Sequence, residues 1–187
     1  MVYVSKDIVL RHFLKEETKK KSIEMRKVEE MIIDYRINGH DETKALFLTL
    51  SEVRSGRHGF TDPAILLCDK CEWEETEFEI NQNSIQKITT WGDKGWRDLS
   101  ENTLSMLKVV DNVRSGRFQG HELHESITNL NVRDDWLEQF KPIIVKFENE
   151  DSYLFADGGH RVASLIYKFL ENNKPIQIKS FIGRYVA

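Results

Sequence analysis

Apolar residues in the first forty positions recur every three or four residues, the spacing that places them on one face of a helix. The first run follows Ser5 and Asp7, either of which could cap a helix at its start. Its apolar positions are Ile8, Val9, Phe13 and Leu14. A second run extends over residues 23–35 and stops near Asn38-Gly39, a common helix end. The pattern therefore predicts two helices at the start of the chain.

Shorter apolar runs follow in the middle of the chain, separated by turn residues. We predict a strand at residues 47–50 and a buried strand at residues 64–68, with a turn at Thr61-Asp62-Pro63 between them. Residues 72–79 alternate imperfectly between polar and apolar side chains, which favours a further strand. A helix is predicted to begin at Leu99-Ser100-Glu101 and to carry Leu104, Leu107, Lys108 and Val110.

Strands and helices alternate in the last third of the chain. A helix around Glu125-Ser126-Ile127 precedes strands at residues 141–145 and 152–156. An apolar-periodic helix and a closing strand at residues 173–178 then follow. This order predicts a mixed α/β or α+β fold, with helices flanking a mixed sheet. We assign residues 1–60 to a helical N-terminal extension and residues 61–187 to the main domain, which we expect to be one compact unit.

Two adjacent glycines stand where the strand at residues 152–156 gives way to the next helix, in the segment Asp157-Gly158-Gly159-His160-Arg161. Glycine permits positive φ and lets backbone N–H groups approach a ligand closely. The helix start adds partial positive charge and N–H donors, and the His-Arg pair adds side-chain donors. These features together predict a phosphate-binding turn.

This segment resembles the loop of the ParB/sulfiredoxin-like superfamily, in which a Gly-x-x-Arg turn joins a strand to a helix. Variants of that loop include Gly-Glu-Arg-Arg, Gly-Cys-His-Arg and Asp-Gly-His-His-Arg. The flanking order matches as well: a helix with a Ser-Ile pair, a strand, the loop and a closing strand. The resemblance covers the C-terminal half of the chain and implies the fold of the nuclease-like N-terminal domain of ParB.

The resemblance implies several activities. Sulfiredoxins carry a nucleophilic cysteine where this chain has Gly159, so sulfinic-acid repair is not expected. The superfamily also includes partition proteins that hydrolyse CTP, free-serine kinases and nucleases. The implied function is a nucleotide-phosphate-binding enzyme that carries out phosphoryl transfer or nucleotide hydrolysis, with ATP or CTP and Mg²⁺ as its cofactors.

Each residue of the loop has a possible part in this chemistry. The phosphate-binding candidates are Gly158, Gly159, His160 and Arg161. The catalytic candidates are Asp157, His160, Arg161, Glu122 and Glu125. The alternative for Asp157 is turn formation, since Asp before Gly often hydrogen-bonds to local backbone. The alternative for His160 is a structural hydrogen bond.

A short motif, Val-Arg-Ser-Gly-Arg, occurs twice and supplies Arg54 and Arg57 in one copy and Arg114 and Arg117 in the other. Paired cations at a turn suit contact with a nucleic-acid backbone. The alternative is a pair of exposed turns whose arginines bind nearby acids. No wider self-similarity surrounds the motif, so a repeat architecture is not supported.

A metal site is the weaker alternative for four further residues. Cys68 and Cys71 have the spacing that lets two sulfurs reach one zinc ion, and His121 and His124 could complete the set. Cys68 also ends an apolar run, which suits a buried core cysteine. Zinc is therefore not our expectation.

Composition places limits on the function. The chain has 187 residues, 40% of them hydrophobic and 31% charged, with two cysteines. We expect a cytoplasmic protein without a membrane-spanning segment. A net charge of −4 argues against a globally basic DNA-binding surface. Three hypotheses remain: a nucleotide-dependent enzyme, a DNA-binding protein or nuclease of phage or mobile-element type, and a non-catalytic interaction protein, any of which could form a homodimer.

Overall fold

The structure, a computed structural model, describes residues 2–56, 63–129 and 140–186, together with Leu137. The chain divides into two compact units. We call Val2–Glu74 with Gly183–Ala187 the N-terminal unit, and Glu75–Ile182 the C-terminal unit. The predicted division at residue 60 stays a prediction, because compactness alone does not test which segments fold independently.

Both predicted N-terminal helices are confirmed. A short strand β1 (Val2–Val4) leads into helix α1 (Lys6–Lys21), and helix α2 spans Met25–Ile37. Ser5 occupies the N-cap position of α1, while Ser22 ends that helix in the left-handed conformation with φ of 52°. Val9, Phe13 and Leu14 of α1 are buried as the 3.6-residue spacing predicts, as are Val28, Ile32 and Tyr35 of α2, whereas Ile8 is 49% exposed.

The two strands predicted at residues 47–50 and 64–68 are wrong, because both segments are helical. Helix α3 (Glu42–Ser55) begins at Asp41, whose side chain accepts a 2.8 Å hydrogen bond from the Lys44 N–H, and ends at Gly56 with φ of 67°. Its apolar residues are buried on several sides, which produces a run without helical periodicity. Helix α4 (Pro63–Asp69) starts with a proline, a residue favoured in the first turn of helices. The rest of the turn predicted before it lies outside the described residues.

The predicted strand at residues 72–79 is confirmed as β2 (Cys71–Ile80), and a two-residue strand β3 (Ile88–Thr89) follows. The helix predicted to begin at Leu99 does not begin there: helix α5 (Lys94–Leu99) ends at that residue. Helix α6 (Met106–Arg114) starts after Ser105, whose hydroxyl accepts a 3.3 Å bond from the Lys108 N–H. Left-handed backbone between these helices, including Leu104 at φ of 58°, separates the two elements.

The order of elements predicted for the last third of the chain is confirmed. The elements are α7 (Glu122–Thr128), β4 (Ile143–Phe147), β5 (Ser152–Asp157), α8 (Gly159–Asn172) and β6 (Ile176–Tyr185).

Six strands of the described chain form one mixed sheet in the order β1-β2-β6-β4-β5-β3. Strand β3 runs parallel to β5, and β4 pairs antiparallel with β5. With helices flanking this sheet, the fold is α+β, as predicted.

Each unit has its own apolar core. In the C-terminal unit, buried residues of α6 and α8 pack with residues of β4, β5 and β6; Val109, Leu165, Ile144, Phe155 and Ile178 are examples. In the N-terminal unit, the buried faces of α1, α2 and α3 contribute apolar side chains to the interior; Phe13, Ile32 and Leu50 are examples. Among the described residues, no helix combines the length and the apolarity needed to cross a bilayer.

Candidate phosphate-binding site

The turn between β5 and α8 has the backbone geometry that the sequence predicts. Asp157 ends β5, and Gly158 is the N-cap residue of α8 in the left-handed conformation, with φ of 88°. Its N-cap residue, a glycine, has no side chain that could cap the helix. The first N–H groups of a helix have no carbonyl acceptor one turn earlier, and they carry partial positive charge. The start of α8 therefore favours an anion.

Packing explains why both turn positions are glycine. A Cβ atom added at Gly158 would lie 2.7 Å from the ring of Phe140, and one added at Gly159 would lie 3.3 Å from the ring of Trp96. Aromatic rings therefore cover the α-carbon side of both glycines. Because glycine has no side chain, the aromatic rings of the protein can lie close to the backbone at these two positions. This role was not predicted from the sequence.

His160 is the exposed side chain of the turn. Its Nδ1 atom lies 3.4 Å from the hydroxyl oxygen of Ser126 on α7, and its ring centroid lies 5.3 Å from that of Trp96. The imidazole thus has a polar neighbour on one side and an aromatic neighbour on the other. The Ser126 hydroxyl donates a 3.0 Å bond to the Leu123 carbonyl, so its oxygen can accept a bond from the imidazole N–H.

Arg161 contacts two neighbouring side chains, those of Asp157 and Phe140. Its Nη2 atom is 3.6 Å from Oδ2 of Asp157, and its guanidinium lies 4.3 Å from the ring centroid of Phe140. The Asp157 side chain is only 4% exposed, whereas that of Arg161 is 19% exposed. The Asp157 carboxylate therefore attracts the Arg161 guanidinium. The guanidinium remains partly accessible to solvent.

Helix α7 carries the two glutamates that the sequence nominated. Both Glu122 and Glu125 are exposed. The Ser164 hydroxyl on α8 donates a 2.9 Å bond to the Ile127 carbonyl and so fixes α7 against α8. Glu122 stands one helical turn before Ser126, so the two share a face of α7, whereas Glu125 points to a neighbouring face. Glu122 therefore lies on the same face of α7 as Ser126, the residue that contacts His160.

Two residues of this site, Ser126 and Phe140, were not nominated from sequence. Each lies far from the loop along the chain and reaches it through tertiary packing, so local sequence offered no indication of their role. The Ser-Ile pair in the predicted helix was the nearest indication, because it placed Ser126 on the element that precedes the loop.

The arginines of the repeated motif have contacts within their own units. The Arg54 guanidinium lies 5.0 Å from the ring centroid of Phe13 in the N-terminal unit. Arg117, in the C-terminal unit, hydrogen-bonds to Glu101 and lies over the ring of Phe118. Arg114 is exposed, and Arg57 lies outside the described residues. The contact of Arg117 with Glu101 matches the alternative in which these arginines bind nearby acids.

The residues of the metal alternative have local roles. Cys68 and Cys71 are buried in the N-terminal unit, where the Cys71 thiol donates a 3.3 Å bond to the Leu67 carbonyl. Burial raises the pKa of Cys71 to about 12, which favours the thiol over the metal-binding thiolate. His121, in the C-terminal unit, caps α7 by accepting a 3.1 Å bond from the Leu123 N–H.

The fourth residue of the metal alternative, His124, lies on α7 close to His121, and its Nε2 atom is buried with no hydrogen bond in the described structure. Across the described ranges, no three His, Cys, Asp or Glu side chains gather as metal ligands.

No family model, curated protein or solved structure matches this chain. The resemblance of its loop to the ParB/sulfiredoxin-like superfamily therefore stays a prediction. What the fold and the geometry define is a class, an α+β protein with a candidate anion-binding turn at the start of α8.

Proposed function

We propose that this protein binds the phosphate groups of a nucleotide at the turn of residues 158–161 and carries out phosphoryl transfer or nucleotide hydrolysis there. The observation that carries this proposal is the exposed imidazole of His160 at the start of α8, 3.4 Å from the Ser126 hydroxyl. Side chains from two helices thus meet at the start of α8, where the N-cap residue Gly158 has no side chain of its own.

Charge and geometry support an anionic ligand. The helix dipole and the leading N–H groups of α8 attract negative charge. His160 can donate a hydrogen bond to a phosphate oxygen, whereas the Ser126 hydroxyl donates its proton to the Leu123 carbonyl at 3.0 Å. Arg161 adds a positive charge that lies over the Phe140 ring and is offset in part by the Asp157 carboxylate. Phosphoryl transfer depends on positioning and charge stabilisation of this kind.

Glu122 is our candidate for the carboxylate that the reaction needs. Carboxylate and hydroxyl oxygens are ligands that Mg²⁺ accepts, usually together with phosphate oxygens and water. Glu122 and Ser126 share one face of α7, so they suit a magnesium ion carried by ATP or CTP. Magnesium would neutralise phosphate charge, while His160 orients the reacting group.

Calorimetric titration with ATP, CTP and pyrophosphate, with and without Mg²⁺, tests the proposal. We expect His160→Ala to weaken binding about tenfold, equivalent to roughly 1.4 kcal/mol, because an exposed donor is lost. Arg161→Lys should weaken it to a similar degree, because lysine keeps the charge but loses the planar fork.

Lys174→Ala is the matched control, since it removes an exposed cation beyond the other end of α8. The proposal fails if none of the three ligands binds, or if all variants bind as the wild type does.

DNA binding through Arg54, Arg57, Arg114 and Arg117 stays a prediction. It requires an affinity for duplex DNA that falls steeply as salt rises. Fluorescence anisotropy at low salt measures that affinity directly. A flat titration would leave the nucleotide enzyme and the non-catalytic interaction protein as the remaining hypotheses.

A further inference from the structure

The proton of the Ser126 hydroxyl points along its own helix. Ser126 donates it to the Leu123 carbonyl, three residues earlier on α7, at 3.0 Å. A serine hydroxyl has one proton, so it cannot donate a second bond to the imidazole of His160. What Ser126 presents to Nδ1 of His160, at 3.4 Å, is therefore a lone pair of its oxygen. A lone pair attracts an N–H group and repels a second lone pair, so Ser126 favours a proton on Nδ1.

Contacts on two sides keep the imidazole beside Ser126. The Ser164 hydroxyl lies 2.9 Å from the carbonyl oxygen of Ile127, the residue after Ser126, and 3.1 Å from the carbonyl oxygen of His160 itself. This hydroxyl thus links α7 to the backbone that carries the imidazole. The Trp96 ring lies against the imidazole, with 5.3 Å between the ring centroids. The contact between Ser126 and Nδ1 is therefore supported by the packing of three helices.

A neutral imidazole carries one ring proton, and the hydrogen bond of one nitrogen decides which nitrogen holds it. We propose that Ser126 holds neutral His160 in the tautomer with its proton on Nδ1, so that Nε2 is the nitrogen that accepts a proton in the reaction. This inference rests on the proposed function, since it makes His160 the general base of nucleotide hydrolysis. Ser126 is then a positioning residue, because it acts through His160.

The tautomer defines the proton transfer. The oxygen of the attacking water forms a bond to the terminal phosphorus of a nucleoside triphosphate, while one water proton moves to Nε2 of His160. The bond from that phosphorus to its bridging oxygen breaks, and its electron pair leaves with the nucleoside diphosphate. Nδ1 keeps its proton and its bond to Ser126, so the ring becomes an imidazolium. The imidazolium can then donate from Nε2 to a phosphate oxygen.

Long-range proton–nitrogen correlation spectra of the full chain, labelled with ¹⁵N and recorded without nucleotide, test the tautomer. The chain has six histidines, so His160→Gln assigns the signals. At a pH where the ring is neutral, we expect Nδ1 to give the signal of a protonated nitrogen and Nε2 that of an unprotonated one. Ser126→Ala should move both signals toward each other, because the preference for one tautomer is lost. Ser126→Thr keeps the hydroxyl and should keep the wild-type pattern.

Ser164→Ala is the matched control for packing. It removes the hydroxyl that links α7 to the backbone of His160 but leaves Ser126 in place, so the proton should stay on Nδ1. A wild type with its ring proton on Nε2 overturns the inference, as does a Ser126→Ala spectrum identical to that of the wild type. These spectra contain no nucleotide, so either result leaves the proposed nucleotide binding intact.

Steady-state hydrolysis of ATP and CTP tests the consequence for catalysis. His160→Gln should lower kcat about a hundredfold, a typical loss when a general base is removed. Ser126→Ala should lower it about fivefold, because part of the His160 population still has the productive tautomer. Ser126→Thr should restore most of the rate. If calorimetry shows nucleotide binding but Ser126→Ala hydrolyses as fast as the wild type, this inference fails and the proposed function stands. If no nucleotide binds, both fail.

Discussion

Asp157 and Arg161 form an ion pair within the candidate phosphate-binding turn. Asp157 is buried at the end of β5, and its carboxylate lies 3.6 Å from the guanidinium that the sequence nominates for phosphate. A bound phosphate and this carboxylate would therefore compete for the same cation. We therefore interpret Asp157 as an ion-pair partner that restrains the binding of phosphate by Arg161, in place of a catalytic or turn-forming role.

This interpretation predicts that Asp157→Asn strengthens phosphate binding. Removing a negative charge close to the ligand should raise the affinity for pyrophosphate about fivefold, and the isosteric amide keeps the packing. Calorimetric titration measures the change. Unchanged binding combined with lost turnover would instead make Asp157 a catalytic carboxylate.

Gly158 provides a stability test at the same scale. Alanine there would adopt φ of 88° and bring its Cβ 2.7 Å from the Phe140 ring. We expect Gly158→Ala to lower the free energy of unfolding by about 2–4 kcal/mol, from backbone strain and overpacking together. Urea denaturation gives the value.

Gly120→Ala is the matched control, because Gly120 has φ of 83° but no neighbour within 4 Å of an added Cβ. It should lose only the backbone part of the stability. Equal losses in the two variants would show that contact with Phe140 contributes nothing.

At the scale of elements, an ion pair joins the segments that precede β3 and β5. Lys87 Nζ forms an ion pair with the Asp151 carboxylate, and each residue directly precedes its strand. The two strands then pair in parallel, with Ile88 opposite Tyr153. The hydrogen bond with Lys87 lowers the pKa of Asp151, and the same bond raises the pKa of Lys87. The pair thus supports the sheet edge while both groups are charged.

The directions of these pKa shifts fix the pH dependence. Because the pKa of Asp151 is lower in the folded chain, its contribution is present above the ordinary value of 3.8 and is lost as pH falls through the folded value. The raised pKa of Lys87 makes the lysine contribution disappear only as pH rises past 10.5.

Asp151→Asn should therefore destabilise the protein at neutral pH and have little effect in strong acid. Urea denaturation at both pH values measures this, and asparagine suits the positive φ of 47° at this position. A stability difference that stays constant across the acid range would rule out the charge as its cause.

Elements with a buried stripe on one side could be predicted from sequence, and elements buried on several sides could not. Helices α1, α2 and α8 carry apolar residues at helical spacing. Helix α3 is packed by both α1 and α2, so its apolar run lacks that period and resembles a buried strand. Its caps, Asp41 and Gly56, contained the missing information. End residues are thus better evidence than periodicity for a central helix.

At the scale of the whole molecule, the sequence predicted the fold class but only part of the site. Backbone features of the turn follow from local chemistry, since adjacent glycines before a helix permit its geometry. The partners Phe140, Trp96 and Ser126 come from other elements, and no local pattern reports a contact across such distances. Sequence therefore located the turn but not the neighbours that shape it.

The most direct test of the central claim is the amide spectrum of the labelled protein during titration with pyrophosphate. Backbone amide shifts should concentrate at Gly159, His160 and Arg161, with accompanying changes at Ser126 and the indole of Trp96. Saturable shifts confined to these residues would support phosphate binding at the start of α8. A spectrum that does not change, or changes only in other elements, would contradict it.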